Sequence, residues 1–164
     1  DDISKDYSKV LTSNLLKKNK IYRITKGKYT FQDDITYVGF AFSPFYYGLQ
    51  EVLSLHNLHE QETNLVIITT NKIKPGVREI MDTNVYLRRI DVKYFFGYDF
   101  IKYYDIEIPV SDVEKTLIDF VYYKEPLSKE VVDNFKKILN RSKLERYLLK
   151  YPSYVKKKVD FILK

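Results

Sequence analysis

Three groups of residues in this 164-residue chain have types and spacing that could do chemistry. In Val110 to Glu125, VSDVEKTLIDFVYYKE, Glu114, Lys115 and Asp119 crowd one apolar segment. Acids and a lysine this close can serve proton transfer. Asp91-Val92-Lys93 forms a D-x-K arrangement on a β-rich stretch, with Glu60 and Glu62 ahead of an apolar strand. A nuclease could hold Mg²⁺ on such acids while the lysine polarises the phosphate or the attacking water. His56-Asn57-Leu58-His59-Glu60 is the only histidine cluster.

Each group also has a plainer reading. The histidines do not form H-E-x-x-H, and two ligands three residues apart without a cysteine make a poor zinc site. His56 is expected to pack and His59 to be exposed. The D-x-K pattern is three residues long and arises readily by chance in a chain that is 30% charged. Ser111 with Glu114 three residues on reads as a capping box at a helix start. Lys115 is then a surface residue, and Asp119, at the edge of the inner face, pairs or accepts a hydrogen bond. No Gly-rich phosphate loop exists among five glycines, and the serines lack a histidine–acid relay. The expectation is a protein without catalysis, metal or cofactor.

The elements that must position these residues follow from periodicity. DDISKDYSKVLTSNLLKKNK spaces Tyr7, Val10, Leu11 and Leu15 along one helical face, with Lys5, Ser8, Lys9 and Thr12 on the other. KIYRITKGKYTF then alternates as a hairpin turning at Lys26-Gly27. A helix followed by a basic hairpin is the back half of a winged helix-turn-helix. Lys5, Ser8, Lys9 and Thr12 would face the major groove, and Arg23, Lys26 and Lys28 would hold phosphates. Tyr22, Tyr29 and Phe31 could instead stack single-stranded bases, although they read more simply as a hairpin's packing face. A whole winged helix needs earlier helices, which are expected to precede Asp1.

Residues 32–42, with Asp33-Asp34, read as a linker running into an apolar strand or turn. Ser43 and Pro44 are expected to cap a helix running to Asn57, NLVIITT to be a buried strand, and Val85 to Val110 to hold two to four strands. Val113, Leu117, Phe120 and Val121 form the inward stripe of the next helix. Ser128 caps another to about Leu139, Ser142 to Glu145 opens a second capping box, and Ser153 to Lys164 form a basic amphipathic helix. The expected fold is α+β. It comprises a partial winged helix over 1–34 (recognition helix plus wing hairpin), a mixed α/β domain over 35–125 and C-terminal helices over 126–164.

Composition bounds the rest. Apolar residues make up 45% of the chain, enough for a core. Without cysteine there are no disulfides or thiolate sites, which fits a reducing cytoplasm. No apolar run approaches the ~18 residues of a membrane span. The net charge of +6 is unevenly spread: basic ends (+5 over residues 1–31, +8 over 136–164) flank an acidic middle. Basic ends are the usual footprint of a polyanion binder.

These landmarks resemble the AbiEi family of antitoxins, the transcriptional-regulator half of an abortive-infection (type IV) toxin–antitoxin pair. The resemblance rests on LLKKNKIYRITKGKYTF, on GLQEVLSLHNLHEQ before a strand, and on IPVSDVEKTLIDFVYY. Glu114, Lys115, Thr116, Leu117 and Asp119 match the family's V-x-x-x-E-[KR]-T-L-x-D helix start, and Asn57 stands where a glycine is usual. The match spans roughly residues 7 to 125. It implies a winged helix that binds inverted repeats in its own promoter. It also implies an α/β domain that counters a nucleotidyltransferase-like toxin without a stable direct complex. Two other classes stay open: the Mg-dependent nuclease on Asp91 and Lys93, and a protein-interaction module acting through the basic tail from Lys156 to Lys164.

Overall fold

The β-branched run Val66-Ile67-Ile68-Thr69 builds the middle of the molecule, because a strand apolar at every position must be covered on both faces. A computed structural model of the chain describes residues 2–58 and 64–164, with side chains from residue 6 onward. His59, Glu60, Glu62 and the side chain of Lys5 lie outside the described residues. A helix, α1 (Asp2–Lys17), leads into a hairpin of β1 (Tyr22–Thr25) and β2 (Lys28–Thr30). Gly27 supplies the left-handed turn at φ 77°. A 3-10 helix over Ile35–Phe42 follows, then β3 (Phe45–Tyr47), α2 (Gln50–Leu55), β4 (Val66–Thr69), β5 (Gly76–Ile80) and β6 (Thr83–Arg89). A short 3-10 turn at Val92–Tyr94 precedes β7 (Tyr98–Tyr103) and β8 (Ile106–Ser111). The chain finishes with α3 (Val113–Tyr123), α4 (Lys129–Ile138), α5 (Arg141–Leu148) and α6 (Ser153–Ile162).

Six strands form one mixed sheet in the order β5-β6-β4-β3-β8-β7. The parallel pairs β4/β6 and β3/β8 lie inside antiparallel edges, so the fold is α+β. Alternation sorts the side chains. Tyr46, Val66 and Ile68 face a core shared with Leu117, Phe120 and the C-terminal helices. Phe45, Tyr47, Ile67 and Val110 face a second core with Val38, Phe42 and Ile24. The 3-10 helix and the hairpin thus cover one face of the sheet, and α3 to α6 the other.

Several local expectations change. Residues 32–42 are less a linker than part of the core: the apolar end of the stretch is a 3-10 helix, capped by Asp34 through the Thr36 N–H, with Val38 and Phe42 buried. Ser43 and Pro44 do not open a helix. The residues after them pair as β3 between β4 and β8, and α2 starts only after Leu49, which takes φ 58°. Burial between two strands overrides the capping signal. Asn57 does adopt the left-handed conformation, φ 55°. The Val85–Val110 stretch holds most of β6 together with β7 and β8. Ser128 caps α4 through the Val131 N–H at 3.2 Å.

Candidate functional site

The opening of α3 is built differently from the capping box expected of it. Ser111 is not the N-cap. It ends β8, where its Oγ hydrogen-bonds Thr116 Oγ1 at 2.8 Å. Asp112 is the cap: its Oδ1 accepts from the Lys115 N–H at 2.8 Å, and Thr116 Oγ1 donates to the Asp112 carbonyl at 2.7 Å. Asp and Ser are equivalent N-caps, and the pairing of Tyr98 with Ser111 keeps the serine in the sheet.

Glu114 does not reach back to the cap. Its Oε1 accepts from the Asn140 N–H at 2.8 Å, and Oε2 lies 3.2 Å from Lys143 Nζ. Lys143 also meets Asp112 Oδ2 at 3.1 Å, and the Tyr147 hydroxyl donates to that oxygen at 2.8 Å. Two acids at the start of α3 thereby hold the start of α5. Asn140, rather than Ser142, caps α5, so the second expected capping box is also absent. Burial opposes the charge on Lys143, but hydrogen bonds and charges from Asp112 and Glu114 outweigh it and raise its pKa. Burial, followed by the hydrogen bond to Asp112, lifts the Tyr147 phenol to about 12.

Lys115 is not on the surface; it is fully buried. Its ammonium pairs with Asp119 one turn on, and Asp119 Oδ2 accepts from the Tyr46 hydroxyl at 2.8 Å. Three rings surround the ammonium: Tyr46 at 5.1 Å, Tyr151 at 5.7 Å and Phe96 at 5.8 Å. Burial drives Lys115 down and Asp119 up, and each is opposed by its partner's charge. Gly97 (φ 73°) lets the backbone pass close to the Lys115 stem, since an added Cβ would stand 2.8 Å from the Tyr147 ring and 3.0 Å from Lys115 Cβ. Lys115, Asp119 and Tyr46 are all fully buried, so the pair offers no surface to a substrate. Leu117 is buried beside it, as the apolar stripe predicts.

The other candidates lie elsewhere. Asp91 caps the Val92–Tyr94 turn through the Lys93 N–H at 3.1 Å, and its carboxylate lies 3.9 Å from Lys93 Nζ. That ammonium sits 4.8 Å from the Tyr94 ring. Among the described residues no three His, Cys, Asp or Glu side chains gather as a metal site. His56 is half-buried with Nε2 2.7 Å from the Ser111 carbonyl, which ties α2 to the end of β8.

On α1, Lys9 pairs with Asp6 at 3.3 Å, and Thr12 Oγ1 donates to the Ser8 carbonyl at 2.8 Å. Arg23 and Lys26 are exposed on the hairpin. Lys28 donates to the Ala41 carbonyl, which fastens β2 to the 3-10 helix. Tyr7, Val10 and Leu11 stand open to solvent rather than buried.

Sequence reasoning missed Asp112, Asn140, Lys143, Tyr147 and Tyr46. Asp112 and Asn140 had a visible signal, since each is a good N-cap directly before a helical pattern. Tyr46 had none, being 73 residues from Asp119. Compared with known proteins, the chain matches no family model and no curated protein.

Proposed function

We propose that this protein is a DNA-binding transcriptional regulator and antitoxin of an AbiE-like toxin–antitoxin pair, with no catalysis of its own. The observation that carries the reading is the contrasting fate of the charges. Lys17, Lys18, Lys20, Arg23 and Lys26 are exposed at the end of α1 and along the hairpin. Among the described residues none of them is held in an ion pair, whereas the acids and lysine of α3 are spent inside the protein. Unpaired cations on a helix and its following hairpin suit phosphates on either side of a groove. Promoter inverted repeats are the DNA this reading assigns. The functional counterpart is a nucleotidyltransferase-like toxin, countered without a stable complex. A cytoplasmic location belongs to the same reading. No helix among the described residues is long and apolar enough to cross a membrane.

An anisotropy titration of a labelled duplex from upstream of the protein's own gene tests the DNA part. Binding should weaken with salt. Arg23→Ala with Lys26→Ala should make the slope of log affinity against log salt shallower by about 0.9 per lost contact. Lys28→Ala should change it less, because that ammonium already serves the Ala41 carbonyl. Lys9→Ala or Ser8→Ala should alter the preference for cognate over scrambled duplex. An unchanged slope in the double variant would remove the wing from the reading.

A further inference from the structure

We infer that the cleft between the end of α3, α4 and α6 is a binding site for a small amphipathic anion, an apolar body carrying one carboxylate. The cleft has a volume of about 630 Å³, inside the ~300–1,000 Å³ range of small-molecule pockets. Its floor is apolar: Phe120 and Val121 from α3, Leu127 from the connection, Val132 from α4 and Ile162 from α6. The cleft is open to solvent on one side, and no described side chain fills it, which leaves an apolar concavity between three helices.

Charge at the mouth selects the occupant. Lys124, Lys158 and Tyr154, all exposed, line the opening. Glu125, the one acid among the described lining residues, is already paired with Arg88 of β6. Among the described residues neither lysine has an ion-pair partner, although the Lys158 ammonium also lies 5.2 Å from the Phe161 ring. The mouth therefore carries two positive charges over an apolar floor, complementary to a carboxylate on an apolar body.

The walls are fixed before any ligand arrives. Lys124 holds the left-handed conformation that ends α3, φ 58°, with the Glu125 N–H returning to the Phe120 carbonyl at 2.9 Å. Ser128 caps α4, and Asn134 donates to the Leu58 carbonyl at 3.2 Å. A preformed cleft avoids the ordering cost that weakens small ligands. This site is separate from the cations of α1 and the hairpin, so it stands or falls independently of DNA binding.

Calorimetric titration of the whole chain with dodecanoate, and with 1-dodecanol as the uncharged body, tests it. Dodecanoate should bind one to one at about 10–100 µM, with dodecanol at least about tenfold weaker. Lys124→Ala with Lys158→Ala should remove that preference and leave dodecanol unchanged. Val132→Trp should block both ligands and give the otherwise tryptophan-free chain a fluorophore in the cleft. Circular dichroism checks its fold, and the lysine variant, altered only at the surface, carries the test if Val132→Trp does not fold. No saturable dodecanoate binding, or equal binding of both ligands by wild type, would overturn the proposal. So would dodecanoate affinity unchanged in the lysine variant. An acidic amphipathic peptide that binds the cleft where dodecanoate does not would also overturn it, in favour of a protein partner.

Discussion

α1 and α3 are both amphipathic helices carrying lysines and acids, yet they treat those residues in opposite ways. Leu11 of α1 is 46% exposed while Leu117 of α3 is fully buried. Lys9 of α1 pairs with Asp6 in full solvent, whereas Lys115 of α3 pairs with Asp119 where neither touches water. The two ion pairs have similar helical spacing and unlike energetics. An exposed pair is worth little because water and salt screen it. A buried pair costs much to desolvate, and removing one partner strands the other. Charge on α1 thus stays in solvent, and charge on α3 is part of the architecture.

The sharpest way to break this contrast is Asp119→Ala. It leaves the Lys115 ammonium without its carboxylate and the Tyr46 hydroxyl without an acceptor. The expected loss is about 3–5 kcal/mol in urea unfolding. Lys115→Met with Asp119→Leu and Tyr46→Phe should recover most of it, since no polar group of the cluster is then left buried and unpaired. A single variant as stable as wild type would mean that the pair does not hold α3. Truncating leucines comes next. Leu117→Ala should cost about 2–5 kcal/mol, whereas Leu11→Ala should stay within about 0.5 kcal/mol. Equal losses at the two sites would erase the distinction between the helices.

Glu114→Ala sharpens the comparison at one position. The loss of about 1–3 kcal/mol should come from the stranded Asn140 N–H and Lys143, not from the cap of α3. Hydrogen exchange should therefore quicken first at the start of α5. Quickening confined to the first turn of α3 would restore the capping-box reading.

The smallest effect is alkaline. Tyr147 titrates near 10.0 when unfolded and at about 12 when folded. A raised folded pKa contributes stability that is complete below pH 10 and lost as pH climbs towards 12. The raised pKa of Lys143 acts in the same direction. Tyr147→Phe should accordingly show a gentler fall in Tm over that window than wild type, and parallel curves would detach Tyr147 from Asp112.

Much of the fold was legible because its signals are local. The Val66–Thr69 run, the Lys26-Gly27 turn, the left-handed Asn57, the Ser128 cap and the helix after Pro152 each depend on a few neighbouring residues. The candidate site was legible only in outline. The sequence marked Glu114 to Asp119 as a helix start with a buried Leu117, and a hydrogen-bonded or paired Asp119, but assigned the cap and the position of Lys115 wrongly.

Composition and spacing alone determined that this chain is α+β, where its basic ends lie and which residues could begin its helices, since turns, caps and periodicity are short-range. Only the tertiary structure decided which of two good caps was used, and that Phe45-Tyr46-Tyr47 became a strand. Tertiary packing also sent Lys115 inward. A lysine goes inside when a carboxylate and aromatic faces already wait there, and Tyr46, Phe96 and Tyr151 reach it from elements remote in the chain.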